Sequence, residues 1–166
     1  MADKSSFTVE EWTELRDTPH LVAAAVMLAG RNGLIGGLQE ALAAGKEIYQ
    51  ISESGQPLFQ ALASPEESKA AQARVREMIS IREASHAPSK LRDAALRGVA
   101  EAIRILESHG LGSEAAAYRR WCEDIAEAVA QAAREGGFLG FGGEQVSEDE
   151  RKLLADLRAV TAPPIA

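Results

Sequence analysis

Acidic side chains gather near one end of this chain. Glu144, Glu148, Asp149 and Glu150 follow the stretch Glu135-Gly136-Gly137-Phe138-Leu139-Gly140-Phe141-Gly142-Gly143. Such carboxylates could bind a divalent cation, with Glu40 joining Glu144 and Glu148 if the fold brings the three together. A calcium loop needs acids at alternating positions around one central glycine and a terminal bidentate glutamate. Here phenylalanine and glycine stand where those oxygens belong. The structural alternative is that the acids favour the positive end of the following helix. The glycines do not make a phosphate cradle, because no lysine followed by Ser or Thr closes the stretch. A dinucleotide fingerprint fails as well, since no strand precedes it.

The other reactive residue types are scattered. His20, His86 and His109 fall at a helix start, a loop and a helix end. None pairs with another His or Glu at i+3 or i+4 in a way that builds a metal triad. His20, close to Thr18, is the one to follow; a buried pocket shared with Glu40 would favour an enzyme. Ser, His and Asp occur without a nucleophile elbow, so no catalytic residue is assigned. The one cysteine, Cys122, excludes an internal disulfide and a zinc finger. Beside Trp121 in a helical pattern, it reads as a small core residue.

Phe138, Leu139 and Phe141 allow two readings. In one, Gly136 and Gly137 end a helix and the apolar side chains plug the open end of a bundle. In the other, they are exposed anchors for a protein partner, a second copy of the chain, or a lipid surface. The neighbouring acids and the absence of flanking lysines count against lipid.

Composition sets the frame that must position these groups. The 166 residues are 46% hydrophobic, rich in alanine and poor in aromatics, which suits one domain (residues 1–166) with a real core. Alanine loses no side-chain entropy in a helix, and no segment alternates with period two, so the expected class is all-α. A net charge of −7 without a basic stripe disfavours nucleic acid and anionic membranes. The N-terminus has no apolar core of signal-peptide length. The longest apolar run, Leu21 to Gly30, is well short of the roughly 20 residues that span a bilayer. A cytoplasmic protein is expected.

Punctuation predicts six to seven helices in approximate halves, 7–62 and 64–160, with a frayed tail at 161–166. Phe7-Thr8-Val9-Glu10-Glu11-Trp12 reads as a capping box with a hydrophobic staple, opening a short helix to Arg16. Thr18-Pro19 starts a second helix to Ala29, apolar almost all round and therefore central. Leu34, Leu38, Ala41, Leu42, Gly45 and Ile48 share one face of a third. Gly55-Gln56-Pro57 turns into a short link, and Ser64-Pro65-Glu66-Glu67 is a second capping box. Leu91, Ala95, Val99, Ile103 and Leu106 form a stripe closed by His109-Gly110. Ser113 caps a long helix bearing Tyr118, Trp121, Cys122, Ile125, Val129 and Ala132. Ser147 opens the last, anchored by Leu153, Leu154 and Leu157.

Two regions look alike. Trp12 precedes an alanine-rich helix ending in Arg31-Asn32-Gly33, and Trp121 precedes one ending in Arg134-Glu135-Gly136. Val26 then matches Val129. Either shared composition produces the likeness, or a helix–Gly loop–helix hairpin is duplicated. The Gly-Gly-Phe-Leu-Gly-Phe-Gly-Gly loop with its following Val-Ser resembles the C-terminal signature of an uncharacterised family of small helical bacterial proteins. More distantly, Asn32-Gly33 followed by Glu40, and Glu135-Gly136 followed by acids, is similar to TerB-like tellurite-resistance domains. That likeness implies duplicated helical halves and carboxylates that bind metal, although Asn32 replaces the expected aspartate.

The functional expectation is a non-enzymatic interaction or small-ligand-binding protein of unassigned function, with stress response as the process it would serve. Abundant alanine predicts tightly packed helices and few large pockets. A TerB-like divalent-metal module and a partner- or membrane-contacting phenylalanine loop are the alternatives. No cofactor is expected beyond such a metal. A homodimer is expected if Trp12, Trp121 or the Phe138/Phe141 pair stays exposed.

Overall fold

The computed structural model describes residues 2–29, 37–79, 87–135 and 147–162. These form seven α-helices: α1 Val9–Ala29, α2 Gly37–Gln50, α3 Pro57–Leu62, α4 Pro65–Met78, α5 Ala87–Ser108, α6 Gly112–Glu135 and α7 Glu148–Thr161. No strand occurs among the described residues, and the chain is an all-α bundle. A 3-10 turn precedes α1 at Lys4–Ser6 and another extends α2 at Ile51–Ser54.

The entry to α1 follows the local code. Glu11 N–H donates to Thr8 Oγ1 at 3.2 Å, and the Glu11 carboxylate accepts from Thr8 N–H at 2.9 Å. Phe7 packs on Trp12 with ring centroids 6.0 Å apart, completing the staple. The helix does not stop at Arg16. It runs unbroken through Pro19 to Ala29, so the two short helices expected on either side of Thr18-Pro19 are one. A proline inside a helix removes its own N–H and strands the carbonyl four residues earlier. That carbonyl belongs to Leu15, and the Tyr118 hydroxyl on α6 donates to it at 2.8 Å. Burial holds the Tyr118 phenol well above its ordinary range, so it stays a proton donor. A side chain 103 residues away thus supplies the bond that proline withholds.

Two further helix ends are completed in the same manner. Trp121 Nε1 donates to the Glu47 carbonyl at 3.3 Å, in the last turn of α2. The Ser147 hydroxyl donates to the Ala29 carbonyl at 2.8 Å and accepts from Glu150 N–H at 3.1 Å. It therefore ends α1 and starts α7 together, satisfying groups that a helix leaves open at its termini. The α5–α6 connection is local. Leu111 N–H donates to Leu106 O and Gly110 N–H to Glu107 O, with Gly110 left-handed at φ 72°, a Schellman closure.

Other caps depart from expectation. Ser64 caps α4 by accepting from Glu67 N–H at 3.4 Å. The Glu67 carboxylate, however, goes to Lys4 and Arg16, not back to the cap. An ion pair across the fold outcompetes the local bond because three charges meet there. Ser113 is not the cap of α6. The helix begins one residue earlier, Ala115 N–H donates to Leu111 O, and the Ser113 hydroxyl turns to Glu114. Thr161, the first residue of the expected tail, closes α7 with its hydroxyl on the Leu157 carbonyl and is buried.

α1 is the central helix and packs on α2, α4, α5, α6 and α7. The predicted stripe on α5 is buried at each of its five positions, and so are Tyr118, Trp121, Cys122, Ile125 and Val129 on α6. Phe59, Tyr118 and Trp121 form an aromatic node, with Trp121 edge-on to both partners. Trp12 and Trp121 are each only 3% exposed, so neither offers the surface on which a dimer was predicated.

The closest approach in this frame lies between α1 and α5. A Cβ built on Gly98 would meet Thr18 Oγ1 at 2.5 Å and Glu14 Oε1 at 3.0 Å. Gly98→Ala is therefore expected to destabilise by roughly 1–2 kcal/mol, because overpacking outweighs the ~1 kcal/mol that alanine contributes to an isolated helix. The urea midpoint measures this. An unchanged or raised midpoint would show that the contact yields freely.

Candidate ligand groove

A groove of about 490 Å³ lies between α1, α2 and α4. Its wall from α1 is His20, Ala23, Ala24 and Met27, and that from α2 is Ala41, Ala44, Gly45, Ile48 and Tyr49. Pro65, Ser68, Gln72, Val75 and Arg76 of α4, with Ala63, complete it. Abundant alanine does not bring the helices into tight contact here. Small side chains permit close approach only where another contact pulls the helices together. α2 is drawn toward α6 by Trp121, and α4 is held toward the N-terminus by Glu67. Between them the methyl groups are too short to close the gap. Ala41 and Gly45, expected on the core-facing stripe of α2, are exposed along this groove.

His20 borders the groove on α1. It is 8% exposed, and burial, reinforced by the nearby Arg16 guanidinium, lowers its pKa to about 4. The imidazole is therefore neutral at neutral pH. Arg16 is itself engaged, donating to Asp17 at 2.7 Å and to Glu67 at 3.5 Å. Burial opposes ionisation of Glu67, but Lys4, Trp12 and Arg16 outweigh it and lower its pKa. At the mouth, Tyr49 is 59% exposed, and Gln72 and Arg76 are also exposed. The site is thus an apolar trough with a neutral imidazole in its wall and polar groups along the α4 rim.

No protein-family profile, curated protein or solved structure matches this chain.

The residues singled out from sequence fare unevenly. His20 reaches the groove. Glu40 lies in the first turn of α2, but its side chain is outside the described residues, so its meeting with His20 is not described. Phe138, Leu139, Phe141 and Glu144 also lie outside the described residues, as does His86. Glu148 is exposed in the first turn of α7. Among the described residues, no three His, Cys, Asp or Glu side chains gather as a metal site would require. His109 packs on Phe7 with ring centroids 4.9 Å apart and lies 3.3 Å from Glu11 Oε1, a tie between helix ends. Cys122 is fully buried and its thiol pKa is pushed far up by burial, which suits a core residue and not a nucleophile.

Sequence reasoning missed Ala24, Ala44, Gly45, Gln72 and Arg76 as groove residues. One signal was available. Ala41, Ala44, Gly45 and Ile48 make a face of α2 with only one large side chain, which invites a cavity wherever the facing helix is equally small. A smaller cavity of about 330 Å³ lies where α1 ends against α5 and α7. Its Arg92 is already paired with Asp156. Among the described residues, no helix is long and apolar enough to cross a membrane.

Proposed function

We propose that this chain is a non-enzymatic small-molecule-binding protein whose site is the groove between α1, α2 and α4. The supporting observation is the groove itself. Its volume of about 490 Å³ falls within the roughly 300–1,000 Å³ usual for ligand sites, and its lining is mostly apolar with a few polar groups at one margin. His20 takes part as an uncharged wall residue and not as an acid or base. A neutral imidazole could accept or donate one hydrogen bond to a ligand without adding charge.

Gly45 gives a clean test. A Cβ there meets nothing within 4 Å, and the residue lies within a helix on the groove wall. Gly45→Leu should fill the trough without straining the fold, and it should raise local helix propensity by about 1 kcal/mol. The neutral dye Nile red is expected to bind the native protein saturably, with enhanced fluorescence. Gly45→Leu should weaken that binding at least about tenfold, the loss expected when an apolar contact worth ~1.4 kcal/mol is displaced. Its melting temperature should not fall. Saturable binding that Gly45→Leu leaves intact, or no saturable binding at all, would sink the groove as the site.

A further inference from the structure

The groove also carries information about the charge of its occupant. The chain has 25 acidic residues, yet among the described residues none that lines the groove is acidic. Among the described lining residues, Arg76 alone is formally charged, since His20 is held neutral. Gln72 stands one turn before Arg76 on α4, so the two share a face and form a rim of N–H donors. No ion pair engages Arg76 among the described residues. Ala23, Ala24 and Met27 on α1 and Ala44 and Ile48 on α2 supply apolar wall away from that rim. The described lining therefore gives an apolar body and one cationic margin in an otherwise acidic protein.

We infer that the occupant is an amphipathic carboxylate: an apolar chain lying along α1 and α2, with its carboxylate on Arg76 and Gln72. The inference rests on the groove being the ligand site. A planar guanidinium matches the two oxygens of a carboxylate, and the Gln72 amide can donate beside it. One cation balances one negative charge, which favours a monocarboxylate over a doubly charged phosphate head. The apolar wall would reject a short, wholly polar acid, because burying methyl-lined surface against a solvated ligand gains little.

Calorimetric titration of the full chain with decanoate and with decanol separates head from tail. Decanoate is expected to bind roughly tenfold tighter than decanol, as a charge-assisted pair at a partly exposed site allows. Arg76→Gln removes the charge at an exposed position. It should weaken decanoate to the level of decanol and leave decanol unchanged. Gly45→Leu should weaken both. If decanol binds as tightly as decanoate, or if Arg76→Gln leaves decanoate unaffected, the carboxylate assignment is overturned while the groove stands. If neither compound binds and Nile red also fails, the groove itself is lost.

Discussion

Tyr118→Phe is expected to cost roughly 1–3 kcal/mol in the native chain and much less when Pro19 is alanine. The hydroxyl donates to the Leu15 carbonyl at 2.8 Å, deep in the interface of α1 and α6. In an ordinary helix that carbonyl would receive the N–H of residue 19, and proline has none. Removing the hydroxyl leaves a buried acceptor with no partner, which costs its full desolvation. Restoring an N–H with Pro19→Ala gives Leu15 a helical partner, so the phenol becomes dispensable. Urea denaturation of the four proteins forms a double-mutant cycle, with an expected coupling of about 1 kcal/mol or more. Equal costs of Tyr118→Phe in both backgrounds would show that the hydroxyl does not replace the proline's missing donor. The ring has its own role against Phe59 and Trp121, which the conservative change leaves in place.

His20 should make stability fall between pH 6.5 and about 4. An unfolded histidine titrates near 6.5, while burial and Arg16 lower the folded value to about 4. Above pH 6.5 both states are neutral and the residue contributes no pH dependence. As pH falls through that window, the unfolded chain takes up a proton that the folded chain refuses. Stability therefore declines across the window and levels off below about 4, with a total loss near 3 kcal/mol. His20→Gln keeps a polar side chain and removes the titration. Urea midpoints at pH 7 and pH 4.5 should differ less for His20→Gln than for the native chain. Carboxylates such as Glu67 act in both proteins and cancel in that comparison. Parallel declines would mean that His20 is not the group responsible.

These two residues mark different limits of sequence reasoning. His20 stands out in the sequence by its place close to Thr18, but its neutral state depends on neighbours that no local pattern reveals. Spacing places Tyr118 on the buried face of its helix, but no local pattern specifies its bond to Leu15. The same holds for Glu67. Its spacing from Ser64 suggests a capping box, yet Lys4 and Arg16 take the carboxylate. Local chemistry predicts a partner well when no better one arrives from elsewhere. At Glu11 the distant partner, His109, takes only Oε1, which leaves Oε2 for Thr8 N–H, and the capping box forms as written.

The sequence by itself determined the helical class, the apolar faces of α5, α6 and α7, and the centrality of the alanine-rich segment. Each of these is encoded by spacing within a few residues, where helical geometry fixes which side chains share a face. Only the tertiary structure decided that α1 runs through Pro19, because the compensating donor comes from α6. Only it decided that the small faces of α1 and α2 border an open groove along α4. A cavity is a property of the distance between helices. That distance is set by contacts such as Trp121 to Glu47 and Arg16 to Glu67, which join residues far apart in the chain.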